Sequence, residues 1–333
     1  MGCRRKGLPI NGWINLDKPA GMTSAACVNA VRRATGAAKL GHAGTLDPSA
    51  TGILPIALGE ATKTMPYVTD SSKRYTFIVN WGTRTETDDA DGAVLETSNA
   101  RPDADAITVA LPAFVGAIEQ VPPAYSAIKI DGERAYAKAR AGEDVVLEAR
   151  TIDIHAFDLV EVIDADRARF AVTSGKGAYM RALARDLAAA LGTCGHLSDL
   201  RRVAVGPFEE SAAISLEMLE ELGHSAAASP ILLPIETALD GIPALALSDR
   251  EAERLARKAV IHLHGFQILK QRRPVIPGHP LGFHGDIVAE ARRHGDRLDA
   301  LETERGRKGA IVGNDPVEDR LVVVHQVDLV DRQ

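Results

Sequence analysis

Strand-like and helix-like patterns alternate irregularly along this chain, and no internal repeat orders them. Such an order predicts an α+β fold on a mixed or antiparallel sheet. Gly12 to Leu16 has strand texture and ends in the turn residues Asp17 to Gly21. Thr23 or Ser24 is placed to cap a helix running to about Thr35, which Gly36 stops. Residues 53–59 form an apolar segment, and residues 73–82, 151–163 and 168–174 read as strands, with a short one at 127–130. Helices are expected at 103–115, 133–141 and 179–191. In the last, Leu183, Leu187 and Leu191 share one face and Gly192 follows.

The 333 residues suffice for one large domain and one small one. A boundary is expected near residues 240–248, giving domains 1–242 and 243–333. No apolar run reaches the roughly 20 residues a bilayer requires, and no signal peptide is read. Cys3, Cys27 and Cys194 lack any ligand spacing and fit a reducing, cytoplasmic location. The net charge of −6 argues against indiscriminate nucleic-acid binding. Residues 1–80, however, hold ten Lys/Arg against four Asp/Glu, a net of +6, which leaves −12 for the rest. A basic N-terminal third suits a localised polyanion-binding face, or simply a solvated basic surface.

The chemistry concentrates in Gly41-His42-Ala43-Gly44-Thr45-Leu46-Asp47-Pro48-Ser49-Ala50-Thr51-Gly52. It offers one carboxylate and one imidazole among glycines that let backbone approach a ligand. Pro48 biases Asp47 towards an extended conformation. On spacing alone, an ordinary Asp-Pro surface turn is the simpler reading. Thr87 to Gly92, despite three acids, lacks the oxygens of a calcium loop and reads as a turn. His262 and His264 have no further ligands at metal spacing.

The run GHAGTLDPSATGILPIALGEATK (41–63) closely resembles the signature of the TruB family of tRNA pseudouridine synthases. The resemblance continues, in order, through INGWINLDKPAGMTS (10–24), SSKRYTFIVNWGTRTETDDADG (71–92) and PPAYSAIKIDGERAYAKARAG (122–142). It closes with SGKGAYMRALARDLAAALG (174–192) and CGHLSDLRRVAVGPF (194–208). One departure is Ala43, where family members often carry Thr.

The resemblance implies a pseudouridine synthase core acting on tRNA position 55, in the T-loop, without cofactor or metal. By the same resemblance Asp47 is the covalent catalyst. Tyr75 stacks on the target base and helps move the C5 proton, Arg181 pairs with Asp47, and His42 sits where the nucleotide leaves its stack. Tyr179 and Leu200 line the uridine pocket. Such a base must be flipped out, and aromatic rings suit its capture. Lys18, Lys39, Lys63, Lys73, Arg74, Lys129, Arg201 and Arg202 are taken as a set of phosphate contacts. The implied partner is the T-arm of tRNA, with no membrane, no obligate protein partner and a monomeric chain.

The resemblance also implies a small β-rich RNA-binding module of the PUA type after about residue 245. Residues 245–261 fit its start, but only 317–330 beyond them is firmly β-like. The tail is therefore an atypical or degraded module, through strong divergence or through a shifted reading frame near residue 260. The alternatives on function are a non-catalytic tRNA-binding or tRNA-folding protein, which would not need Asp47, and a two-carboxylate hydrolase. The motif supplies no second acid for the latter.

Overall fold

The run Ile53–Leu58 is apolar throughout, which a strand tolerates only when both of its faces are covered. The computed structural model describes residues 7–126, 128–130, 133–141, 143, 145, 147–223 and 230–240, with strands at 266–270, 287–292 and 320–325. The chain divides into two compact units, Met1–Ala238 and Leu239–Gln333.

The first unit begins with β1 (Gly12–Lys18), α1 (Ser24–Thr35), β2 (Leu40–His42), β3 (Thr51–Leu58), α2 (Met65–Asp70), β4 (Lys73–Trp81), β5 (Thr83–Thr85) and β6 (Val94–Thr97). It continues with α3 (Ala104–Ala110), β7 (Gly116–Gln120), β8 (Lys129–Ile130), β9 (Glu133–Arg134), α4 (Ala135–Arg140), β10 (Arg150–Val162) and β11 (Arg167–Ser174). It ends with α5 (Met180–Ala190), β12 (Gly195–Val205), β13 (Phe208–Glu209) and α6 (Leu216–Leu222). Nine strands form one sheet in the order β1-β3-β12-β4-β11-β10-β7, with β2 beside β3 and β13 beside β12. Every pairing is antiparallel except β3 with β12, where Thr51 faces Arg201 and Gly52 faces Arg202. This is the α+β, mixed-sheet architecture the irregular element order predicts.

The apolar β3 is explained by its two coverings. Leu54, Ile56 and Leu58 pack with Val28 and Val31 of α1 and Leu219 of α6. Ile53 and Ala57 face a second cluster with Trp13, Val68, Val205 and Phe208. A third core joins Phe77, Phe157 and Phe170 to Leu183 and Leu187 of α5. Thr23 accepts from the Ala26 amide and caps α1, and Gly36 ends it at φ +70°. The helix expected over 103–115 stops at Ala110 and passes into a 3-10 turn, Leu111–Phe114. Pro112 has no amide proton to continue an α-helix. Of the strand expected at 127–130, Lys129–Ile130 forms one arm of a short hairpin with β9, and residue 127 lies outside the described residues.

In the second unit β14 (Phe266–Lys270), β15 (Ile287–Arg292) and β16 (Arg320–His325) form an antiparallel sheet in that order. The last lies inside the expected 317–330 segment. The first two were not read as strands, being too short to show a period. Residues 245–261 lie outside the described residues.

Two consequences can be measured. At Gly52, φ is +99° and an added Cβ would meet the Arg202 carbonyl oxygen at 2.2 Å. Gly52→Ala should therefore cost at least about 2 kcal/mol in denaturant unfolding, since backbone strain and a backbone clash add. A loss under about 0.5 kcal/mol, the range of an ordinary surface change, would refute the close approach. Lys73 is buried and donates to the Thr69 and Ser71 carbonyls, tying the end of α2 to β4. Burial, then repulsion from Arg202, lowers its pKa from 10.5 to about 8. Between those values the unfolded chain binds the extra proton, so stability should rise as pH increases through that window. Lys73→Met should flatten the rise, and identical pH profiles for the two proteins would contradict it.

Candidate active site

Between β2 and β3 the chain makes no ladder from Gly44 to Ala50, yet side chains hold it at several points. The Ser24 hydroxyl accepts from the Leu46 amide at 2.9 Å and donates to the Leu46 carbonyl at 3.1 Å. Lys18 Nζ donates to the carbonyls of Pro19, Pro48 and Ala50 at 2.9, 3.1 and 2.5 Å. Arg202 donates from Nη2 to Gly44 at 3.0 Å, from Nε to Ile53 at 2.8 Å and, more weakly, from Nη1 to Thr45 at 3.5 Å. The Gly21 amide donates to Pro48 at 2.8 Å. These bonds leave the Asp47 carboxylate 38 % exposed on an otherwise fixed loop.

Arg181, in the first turn of α5, brings its Nε to 3.0 Å from Asp47 Oδ2 while remaining 5 % exposed. Its Nη1 donates to the Thr87 carbonyl at 2.8 Å and its Nη2 to the Tyr125 carbonyl at 2.9 Å. Asp89 Oδ2 stands 3.7 Å from the same Nε. Asp89 is oriented in turn by the Thr87 hydroxyl and the Asp91 amide. Next to it Asp88 adopts φ +59° and receives Arg185 Nη1 at 2.9 Å. Burial raises the Asp88 carboxyl pKa, and Arg185 pulls it back. The segment read as a plain acidic turn is thus the scaffold of Arg181. The start of α5 has no side-chain N-cap. Instead the Gln120 amide clamps Tyr179, donating to its carbonyl at 3.1 Å and accepting from its amide at 2.9 Å.

Tyr75 is buried in β4, between Val172 of β11 and Arg202 of β12. Burial lowers the pKa of the Arg202 guanidinium across from it, and the electrostatic influence of Tyr75 pulls it back. Leu200 packs on the core cluster that contains Tyr75, at a register shift of β12 between Ser198 and Arg201. Tyr179 feels both Arg181 and Asp47. Burial pushes its phenol pKa up, Ser126 and Arg181 pull it down, and Asp47 adds to the rise. His42, half-buried in β2, has its pKa lowered by burial and by Arg202, so its ring is neutral at pH 7. Ala43 is fully buried and donates its amide to Pro55.

The cations expected to contact phosphate divide into two groups. Lys18, Lys73 and Arg202 point inward and spend their donors on backbone carbonyls, so none presents its charge to a polyanion. Desolvation lowers the Lys18 and Arg202 pKa values. Lys39 and Arg74 are exposed, the latter paired with Glu209 at 2.7 Å, and Lys63 pairs with Glu60. Arg201 forks onto Asp17 at 2.8 and 3.0 Å. The Lys129 side chain lies outside the described residues. Among the described residues no cluster of three or more His, Cys, Asp or Glu is arranged for a metal. No described helix is long and apolar enough to cross a membrane.

Asp89, Ser24 and Gln120 were not singled out from the sequence. Only Ser24 carried a local signal, as a cap candidate, and it bonds the Asp47 loop instead of the helix.

Along most of its length the chain is similar to known proteins. Residues 32–180 match the family described as TruB family pseudouridylate synthase (N terminal domain), and 181–240 match the tRNA pseudouridylate synthase B C-terminal domain. A relative from Caulobacter vibrioides named tRNA pseudouridine synthase B is 50 % identical over 308 residues, 92 % of this chain and 97 % of its own. So long a match runs past the change of texture near residue 260. A relative of the same name from Gluconacetobacter diazotrophicus is 56 % identical over 261 residues, 78 % of this chain and 85 % of its own. Among solved structures, a chain of a Cbf5-Nop10-Gar1 complex superposes with a TM-score of 0.59 at 26 % identity, covering 74 % of this chain and 67 % of that one. Matches this long, at this identity, with Asp47 and Arg181 paired on the shared core, make the chain a member of the TruB family of pseudouridylate synthases.

Proposed function

We propose that this chain isomerises the uridine at position 55, in the T-loop of tRNA, to pseudouridine, with Asp47 as the covalent catalyst. The observation that carries the reading is the carboxylate of Asp47, open to solvent on a braced loop and held at 3.0 Å by a buried arginine. The relatives' name supports tRNA as the substrate. The C1′–N1 bond breaks, the base turns, and C5 joins C1′. The C5 proton is lost and N1 gains one. Atoms and electrons balance without an oxidant, so the reaction calls for no redox cofactor.

In this reading Asp47 attacks C6 of the base or C1′ of the ribose. Arg181 aims the carboxylate and balances its charge, because its guanidinium is anchored by other donors. Tyr75 meets the flipped base and helps move the C5 proton. Tyr179 and Leu200 wall the pocket, and neutral His42 stands at its mouth. Lys39, Lys63, Arg74 and Lys129 supply the phosphate contacts. The chain works as a monomer in the cytoplasm, residues 1–242 carrying the chemistry and 243–333 adding RNA affinity.

The test is tritium release from [5-³H]uridine-labelled tRNA. Asp47→Ala should lower release by at least about 10⁴-fold, the scale at which loss of a nucleophile acts, while tRNA binding stays within about threefold. Substantial turnover by that variant would overturn the assignment of Asp47. Release by the wild type with the pseudouridine mapped to a position other than 55 would overturn the substrate. Binding should also weaken roughly tenfold or more between 50 and 200 mM salt, because each phosphate contact releases counterions. A flat response would remove the phosphate-contact set.

A further inference from the structure

Arg181 is anchored on carbonyls from two separate segments, Thr87 at 2.8 Å and Tyr125 at 2.9 Å. The placement of those two oxygens decides where its Nε points. Arg185 repeats the pattern one helical turn along α5. Its Nη1 reaches Asp88 Oδ2 at 2.9 Å and its Nη2 the Val121 carbonyl at 2.8 Å, while its Nε bonds Asp186 at 2.8 Å. Residues four apart on a helix share a face. Two guanidinium forks thus stand side by side, and each takes one oxygen from the 87–88 stretch and one from the 121–125 stretch. The stretches also meet directly, since the Tyr125 hydroxyl donates to Glu86 Oε1 at 2.7 Å. Asp88 is 5 % exposed and sits at φ +59°, a conformation that costs a non-glycine residue about 1 kcal/mol. A buried ion pair seldom adds net stability, because desolvation offsets the attraction. What a forked guanidinium does impose is geometry.

We propose that Arg185 is a positioning residue, whose fork onto Asp88 and Val121 sets the spacing of the two stretches that anchor Arg181 and so aims the Arg181 guanidinium at Asp47. The inference rests on the reading of Asp47 as the catalyst and Arg181 as its partner. It adds that their alignment is imposed from the next turn of α5, by a residue whose own ion pairs go to Asp88 and Asp186. Asp88 is the chain neighbour of Thr87, so a shift of one carries the other. A lysine at position 185 would keep a charge against Asp88, but an ammonium lacks the planar fork that holds an oxygen from each stretch at once. Small misplacements of reacting groups are expensive in rate and cheap in binding.

The experiment compares wild type, Arg185→Lys, Arg181→Lys and the double variant, with enzyme in excess over [5-³H]uridine-labelled tRNA. Arg185→Lys should lower the single-turnover rate at least about tenfold while the tRNA Kd stays within about threefold. Beside Arg181→Lys, where the first fork is already gone, the same change should cost less than about twofold more. A merely structural role would weaken rate and affinity together, and would cost the same factor in both backgrounds. Asp88→Asn keeps the shape of its side chain, breaks the second fork from its other end, and should reproduce the split of rate from affinity. Denaturant unfolding confirms that each variant compared is folded. A wild-type rate for either folded variant, parallel losses of rate and binding, or an undiminished cost of Arg185→Lys beside Arg181→Lys would overturn the proposal and leave the reading of Asp47 standing. Absence of tritium release from the wild type would overturn that reading, and the proposal with it.

Discussion

Two buried cations, Lys18 and Arg202, do for the Asp47 loop what a β ladder does for its neighbours. The loop is rich in Gly and Ala and contains Pro48, so it offers many carbonyls and few side chains with which to satisfy them. A carbonyl held away from water needs a donor. Lysine brings three donors and arginine five, more than any neutral side chain. Ser24 serves the one residue, Leu46, whose amide and carbonyl both point at the first helix. The desolvation that lowers both cations' pKa values is the cost of a loop that is rigid without being regular.

Rigidity beneath and exposure above divide the labour in the site. Asp47 is open to solvent, whereas Arg181 is almost fully enclosed, with two donors committed to the Thr87 and Tyr125 carbonyls. Its Nε faces the carboxylates, and Asp89 stands behind Asp47 as a second acid. A cation fixed in this way does not reorganise when charge moves on Asp47, which is the condition under which electrostatics lowers a barrier most. The 87–92 loop is itself held to α5 by Arg185 on Asp88 and to β12 by the Leu197 amide on the Asp88 carbonyl.

The sequence shows the parts more readily than their orientation. β1, α1, β4, β11 and α5 are visible in apolar period and caps because those signals are local. The apolar pattern overextends α3, because Pro112 ends the α-helix and leaves a 3-10 turn. Asp47 in its loop and Arg181 in α5 are recognisable through family resemblance, and the structure sets them 3.0 Å apart. What local pattern does not disclose is which cations face inward. Lys18, Lys73 and Arg202 resemble solvated basic residues in one dimension, and only the register of β3, β12 and β4 buries the last of them. Asp89 is hidden for the same reason, because a turn acid and an arginine scaffold look alike until α5 is placed beside them.

The single parallel pairing in the sheet also sets an order of assembly. Lys18 and Ser24 reach the Asp47 loop across 22 to 32 residues of sequence, but Arg202 reaches Ile53 across 149. Contacts of long separation form after local ones, since closing the larger loop costs more chain entropy. A chain emerging from the ribosome therefore makes β1, α1 and the N-terminal braces first, then carries an unfastened acidic loop until β12 slides between β3 and β4. The last strand to enter the middle of the sheet is the one that completes the site, so no shorter nascent chain can act on RNA before the core has closed.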